Sequence, residues 1–107
     1  MRRVIYRPRA SFDVQSTVTY VGEVLSAPQA AKDLYEKITH AIALLAEMPD
    51  LGKPFLDRSL ERQGYRSYLI DNYRILYSHS EELLVVWRIV HTRQDIDDYA
   101  LVDWNNF

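Results

Sequence analysis

From Gln29 to Met48 the chain runs without a glycine or a proline, and its apolar side chains fall on one side. Ala31, Leu34, Tyr35, Ile38, Ala41, Ile42 and Leu45 recur at the three- and four-residue steps of an α-helix. Pro28 suits the first turn of such a helix, where its missing N–H costs nothing, and Pro49, Gly52 and Pro54 close it. A stripe this broad has to be covered by other elements. One cover lies just upstream: Ala10, Val14, Val18, Val21 and Leu25 predict a helix from Ala10 to Leu25, with Ser11 as a plausible N-cap. "SAPQAA" breaks the chain between the two, so they form an antiparallel hairpin.

The other cover is a sheet. "RRVIYRP" predicts a short strand, Arg3 to Arg7, stopped by Pro8. After the polar stretch "PDLGKPFLDRSLERQG" come three β-rich runs, Tyr65 to Ile70, Tyr73 to His79 and Leu83 to Val90. They are joined by "DN" and "SEE", both good hairpin connections. The last run is almost continuously apolar, which places it centrally, covered on both faces. The expected class is α+β: an N-terminal strand, then an antiparallel helical hairpin packed on an antiparallel β-sheet. The acidic tail from Gln94 to Phe107 has room for a short final helix. All 107 residues belong to one domain, since a chain of this length supports one core and not two.

Bulk properties remove several function classes. The chain has no cysteine, hence no disulfide framework and no thiolate metal site, and its three histidines lack ligand spacing. No metal or cofactor is expected. No apolar run would span a bilayer, and no leader pattern opens the sequence, so a cytoplasmic protein is expected. There is no phosphate-cradling glycine loop and no serine with an adjacent base. A formal net charge of −2 argues against a surface that coats nucleic acid. Ten of the thirteen cationic residues are nonetheless arginine, whose planar fork suits phosphate or carboxylate.

The candidate chemistry gathers on the predicted strands. Arg66, Arg74, Arg88 and Arg93 each lie in a strand or just past one, where together they could hold an anion. Taken singly, each is as well explained by the charge that edge strands carry for solubility. Register decides between these. A two-residue turn at Asp71-Asn72 sets Arg74 opposite Leu69 and turns Arg66 to the other face; a longer turn reunites the two. His91, just past the central strand, could transfer a proton near neutral pH or merely hydrogen-bond to backbone. Tyr99 could donate a proton or stack on a base, and Asp95 could hold Arg93 or cap a helix.

The order of elements and the strings "MPDLGKPF", "YRSYLIDNYRILY" and "VWRIVHTRQD" resemble the RelE/ParE superfamily of type II toxin–antitoxin toxins, over about Val4 to Tyr99. The resemblance implies a toxin that arrests growth and is neutralised by a cognate antitoxin. RelE-like members are metal-independent, ribosome-dependent endoribonucleases that cleave mRNA. In that branch Arg74, Arg93 and Tyr99 match the strand arginine and the C-terminal arginine and tyrosine. Arg66 falls near one strand lysine, but Ser67 or Tyr68 stands where the second should be. His91 or Tyr99 would move protons. ParE-like members inhibit DNA gyrase without hydrolytic chemistry, and there Arg66, Arg88 and the strand-end residues would be contacts. The long helical hairpin, "PDLGKPF", "HTRQD" and the mildly acidic charge look more like ParE. Ribonuclease and an inactive interaction domain of the same fold remain the alternatives, so whether the chain is an enzyme is open at this point.

Overall fold

The computed structural model describes residues 1–54 and 64–93. β1 (Arg3–Tyr6) leads into α1 (Pro8–Thr19), which ends in a π-helical turn (Tyr20–Val24); α2 (Pro28–Glu47) returns antiparallel to it. A 3-10 turn (Pro49–Leu51) precedes β2 (Lys53–Pro54), and β3 (Arg66–Ile70), β4 (Tyr73–His79) and β5 (Leu83–His91) form the meander. The sheet order is β1-β5-β4-β3-β2. β5 is thus paired on both sides, as its continuous apolar run predicts. The described part of the fold is α+β, two helices on one sheet.

The first helix and the sense of one strand differ most from the sequence reading. Pro8 ends β1 but also opens α1 at its first helical position, where a fixed φ and a missing N–H are both tolerated. Ser11 is therefore not a cap; its N–H already bonds to the Arg7 carbonyl 3.0 Å away, inside the first turn. α1 also stops being regular at Thr19, and the π turn carries the chain to Val24. There a Cβ on Gly22 would lie 3.3 Å from the Ala31 Cβ, so the small residue lets α1 and α2 close up. Leu25 leaves the core stripe at 55% exposed, and Ser26 reverses the chain with a left-handed φ of 52°. The sheet is also not wholly antiparallel: β1 runs parallel to β5, Arg3 beside Leu83 through Tyr6 beside Val86. A strand separated from its partner by a helical hairpin can return in either sense; a short hairpin loop allows only one.

The core lies between the hairpin and one face of the sheet. Ala10 and Val14 from α1, Leu34, Ile38, Ala41, Ile42 and Leu45 from α2, and Ile75, Tyr77, Leu84, Val86 and Ile89 from the sheet form one cluster. Tyr35, counted in the apolar stripe, sits at its margin and stays half exposed. The predicted helix in the tail lies outside the described residues.

Candidate functional site

β3 and β4 are joined by a two-residue loop, with Ile70 opposite Tyr73 and Leu69 opposite Arg74. The short-turn register is therefore the one adopted. Asp71 makes it possible by taking a φ of 52°, a conformation that Asp tolerates better than most residues. Arg66 lies opposite Tyr77 and shares that residue's face; Arg74 projects from the other. The two arginines do not meet.

Arg66 is held at the far end of the sheet. Its Nε and Nη2 donate to the Gly52 carbonyl at 3.0 and 2.7 Å, and Nη2 also reaches the Asp50 carbonyl at 3.2 Å. The neighbouring Tyr77 hydroxyl donates to the Pro49 carbonyl at 2.5 Å and accepts the Gly52 N–H at 2.9 Å. Gly52 has no room for a side chain, because a Cβ would meet the Tyr77 hydroxyl and lie 2.8 Å from the Ser67 carbonyl. Burial raises the Tyr77 phenol above its ordinary pKa, against the lowering effect of the Gly52 N–H and Arg66. The "PDLG" string thus works as a turn clamped by Arg66 and Tyr77. Asp50 extends the cluster, with its carboxylate 3.9 Å from Arg66 Nη1 and 3.8 Å from His79 Nε2.

Arg88 is also held internally. A bulge shifts the β4–β5 register, so that Leu76 pairs with Arg88 and Tyr77 with Val86, leaving Trp87 extra. β1 pairs with β5 only as far as Val86, and beyond that point α1 supplies the missing partner. Asp13 Oδ2 accepts the Ile89 N–H at 3.0 Å and Arg88 Nε at 2.7 Å, while Oδ1 takes Arg88 Nη2 at 3.2 Å. Both side chains are about nine-tenths buried. Expected as a binding residue, Arg88 instead binds Asp13. An acid beside the core-facing Ala10 and Val14 of α1 is the sequence signal for this pair.

The remaining candidates gather at the opposite end. Tyr73 faces His91 across β4 and β5, their rings edge-to-face with centroids 5.2 Å apart. His91 Nδ1 accepts the Arg93 N–H at 3.0 Å, which in a neutral imidazole leaves the proton on Nε2. Thr92 N–H bonds to the Asn72 carbonyl at 2.8 Å, tying the end of β5 to the hairpin loop. Lys37 from α2 reaches Asp71 at 3.1 Å on the same rim. A shallow pocket of about 330 Å³ opens here between Ser16, Thr17 and Tyr20 of the first helical segment and Tyr73 and His91 of the sheet. Burial, and to a lesser degree Asp71, raises the Tyr73 pKa, so this hydroxyl is a neutral donor at physiological pH. Arg74 and Arg93 are both exposed. Arg74 is paired with Val90, one residue before His91, and so projects from the face opposite His91. Tyr99 and Asp95 lie outside the described residues.

This end therefore carries two exposed arginines and a histidine–tyrosine pocket. Among the described residues no group of three His, Cys, Asp or Glu side chains is placed to hold a metal ion. No described helix is long and apolar enough to cross a membrane.

A sequence profile described as the ParE toxin of the type II toxin-antitoxin system, parDE, matches residues 4–96. The chain belongs to the ParE toxin family. Among solved structures it is similar to a chain of the chromosomal ParDE TA system from P. aeruginosa, with a TM-score of 0.67 and 17% identity, over 85% of this chain and 96% of that one. That likeness speaks to the fold. No curated protein sequence matches.

Proposed function

We propose that this ParE-family toxin arrests growth in the cytoplasm by inhibiting DNA gyrase, and that a cognate antitoxin neutralises it. Arg74 and Arg93 are its contacts, with the His91–Tyr73 pocket between the sheet and the first helix. The observation that carries this reading is the separation of the arginines. A ribonuclease acting through several arginines needs them around one phosphate, where they stabilise charge as it develops. Here Arg66 is bound to Asp50 and Gly52, Arg88 is bound to Asp13, and Arg74 projects away from His91. Contacts to a protein surface need no such convergence, and exposed arginines suit them well. Membership of the ParE family supports the same choice.

The alternative, a ribosome-dependent endoribonuclease cleaving mRNA, is favoured only by His91 and Tyr73 standing together at the pocket. Pulse expression of wild type and Arg93→Ala, read out by plasmid supercoiling and by transcript mapping, separates the two. The gyrase reading expects relaxed or broken DNA with intact transcripts, lost in the variant. Codon-phased cuts in mRNA with normal supercoiling would reject it in favour of the ribonuclease.

A further inference from the structure

The helical hairpin covers one face of the sheet, yet side chains on the other face are buried too. Leu76 stands between Ile75 and Tyr77, which point into the core, and so points away from it. It is 0% exposed but does not belong to the core cluster. Val90 pairs with Arg74 on the same second face, is 5% exposed and is also outside that cluster. Both helices pack on the opposite side, so neither can shield these two from water. Their cover has to come from elsewhere.

The same face is cationic. Arg3 and Arg7 alternate with Val4 and Tyr6, which pack on the core, and Arg74 alternates with Tyr73 and Ile75. Lys53 pairs with Ser67 and Ser67 with Leu76, so Lys53 shares their side of the sheet. None of these four cations has an ion-pair partner among the described residues. Arg7 lies over the Trp87 ring, 5.3 Å from its centroid, and its Nε is buried without an acceptor. The described strands hold no Asp or Glu at all. On a chain whose formal net charge is −2, the acids stand everywhere but on the sheet.

Two stretches outside the described residues follow a strand of this sheet. Residues 55–63 carry two acids and two bases, so they complement no charge. Residues 94–107 carry four acids, Asp95, Asp97, Asp98 and Asp103, and no base, with Ile96, Leu101, Val102 and Trp104 between and beside them. This tail starts four residues after Val90, beside the face in question, and most of it lies past the family profile, which ends at residue 96. Fourteen residues reach about 45 Å extended, while five strands span about 19 Å. We propose that residues 94–107 bind the second face of the sheet as an intramolecular ligand. Their aspartates face its arginines, their apolar side chains cover Leu76 and Val90, and the cationic surface around Trp87 is thereby closed to other anions. Arg74 belongs both to this face and to the surface assigned to gyrase, but the docking does not depend on that target.

The test uses the full chain, made by cell-free synthesis to avoid growth arrest. Because the sequence has no cysteine, Ala100→Cys takes a single nitroxide label in the tail, and methyl NMR reads which side chains it broadens. Leu76, Val85 and Val90 should lose most of their signal, while Leu34 and Leu45 of α2, across the core, keep theirs. If Ala100→Cys fails to fold by circular dichroism, Asn105→Cys takes its place. Broadening spread evenly over both faces, or strongest on α2, would overturn the proposal. So would broadening of an isotope-labelled chain by a nitroxide carried only on other copies. The closure is tested with a fluorescent single-stranded oligonucleotide at about 0.05 M salt, where phosphate contacts are strong. Neutralising the tail (Asp95→Asn, Asp97→Asn, Asp98→Asn and Asp103→Asn together) should tighten binding about ten-fold over a control with the same net charge. That control carries Glu36→Gln, Glu47→Gln, Glu81→Gln and Glu82→Gln, on α2 and the β4–β5 loop. Equal binding by the two variants would mean that the tail closes nothing.

Discussion

Arg66 and Arg88 carry the same guanidinium group as Arg74 and Arg93, and all four lie on or beside the same three strands. The first two are held by acceptors within the chain, Gly52 and Asp50 for Arg66 and Asp13 for Arg88. The second two are exposed. The difference comes from what stands next to each strand position. Arg66 meets the turn that ends α2, and Arg88 meets the stretch of β5 that β1 is too short to pair. Arg74 and Arg93 lie at the end where the β3–β4 loop and the end of β5 reach solvent. A charged residue on a strand thus reads as architecture or as contact according to whether a neighbouring element leaves it an acceptor.

That contrast can be broken most forcefully at Asp13. Asp13→Ala leaves Arg88 buried without its carboxylate and the Ile89 N–H without an acceptor, and should cost about 3–5 kcal/mol in urea unfolding. A loss no larger than a surface substitution would mean that the pair does not brace the fold. Tyr77→Phe is the next test. It strips a buried hydroxyl from Pro49 and Gly52 and should cost about 1–3 kcal/mol, read as a shift in urea midpoint at unchanged m-value. Arg74→Ala with Arg93→Ala is predicted to change stability by less than about 0.5 kcal/mol while abolishing growth arrest. A destabilised double variant would put these arginines in the structural class with Arg66 and Arg88.

The smallest effect expected is an alkaline one. Burial raises the phenols of Tyr6, Tyr73 and Tyr77 in the folded chain. Each then holds its proton where the unfolded chain has lost it, so its contribution is complete below about pH 10 and is lost as pH rises through the raised values. Urea midpoints should fall as pH rises above about 10, and less steeply in Tyr77→Phe. An equal slope in that variant would leave Tyr6 and Tyr73 as its source.

Much of this architecture is legible in the sequence, because burial imposes periods. α2 and the three long strands fall where apolar spacing puts them, to within a residue or two. The features that escape are those without a periodic signal. A π turn, a two-residue strand and a parallel pairing across a helical hairpin leave no repeat to read. The site was legible only as a set of candidates. The Asp71-Asn72 loop allowed two registers, and only the adopted one separates Arg66 from Arg74. Arg88 looked available because its partner is 75 residues away in sequence, on the inner side of α1. Asp13 could have been found by asking why an acid stands beside the core-facing residues of a helix. The clamp of Pro49, Gly52, Arg66 and Tyr77 is built mainly on backbone carbonyls, which no sequence pattern marks.

The measurement that bears most directly on the account is supercoiling by purified DNA gyrase, titrated with wild type and with the Arg74→Ala, Arg93→Ala double variant at matched thermal stability. The account predicts that wild type halts supercoiling and that the equally folded double variant does not. Gyrase working normally under excess wild type, or stopped equally by both proteins, would contradict the assignment of the exposed strand end as the surface that acts.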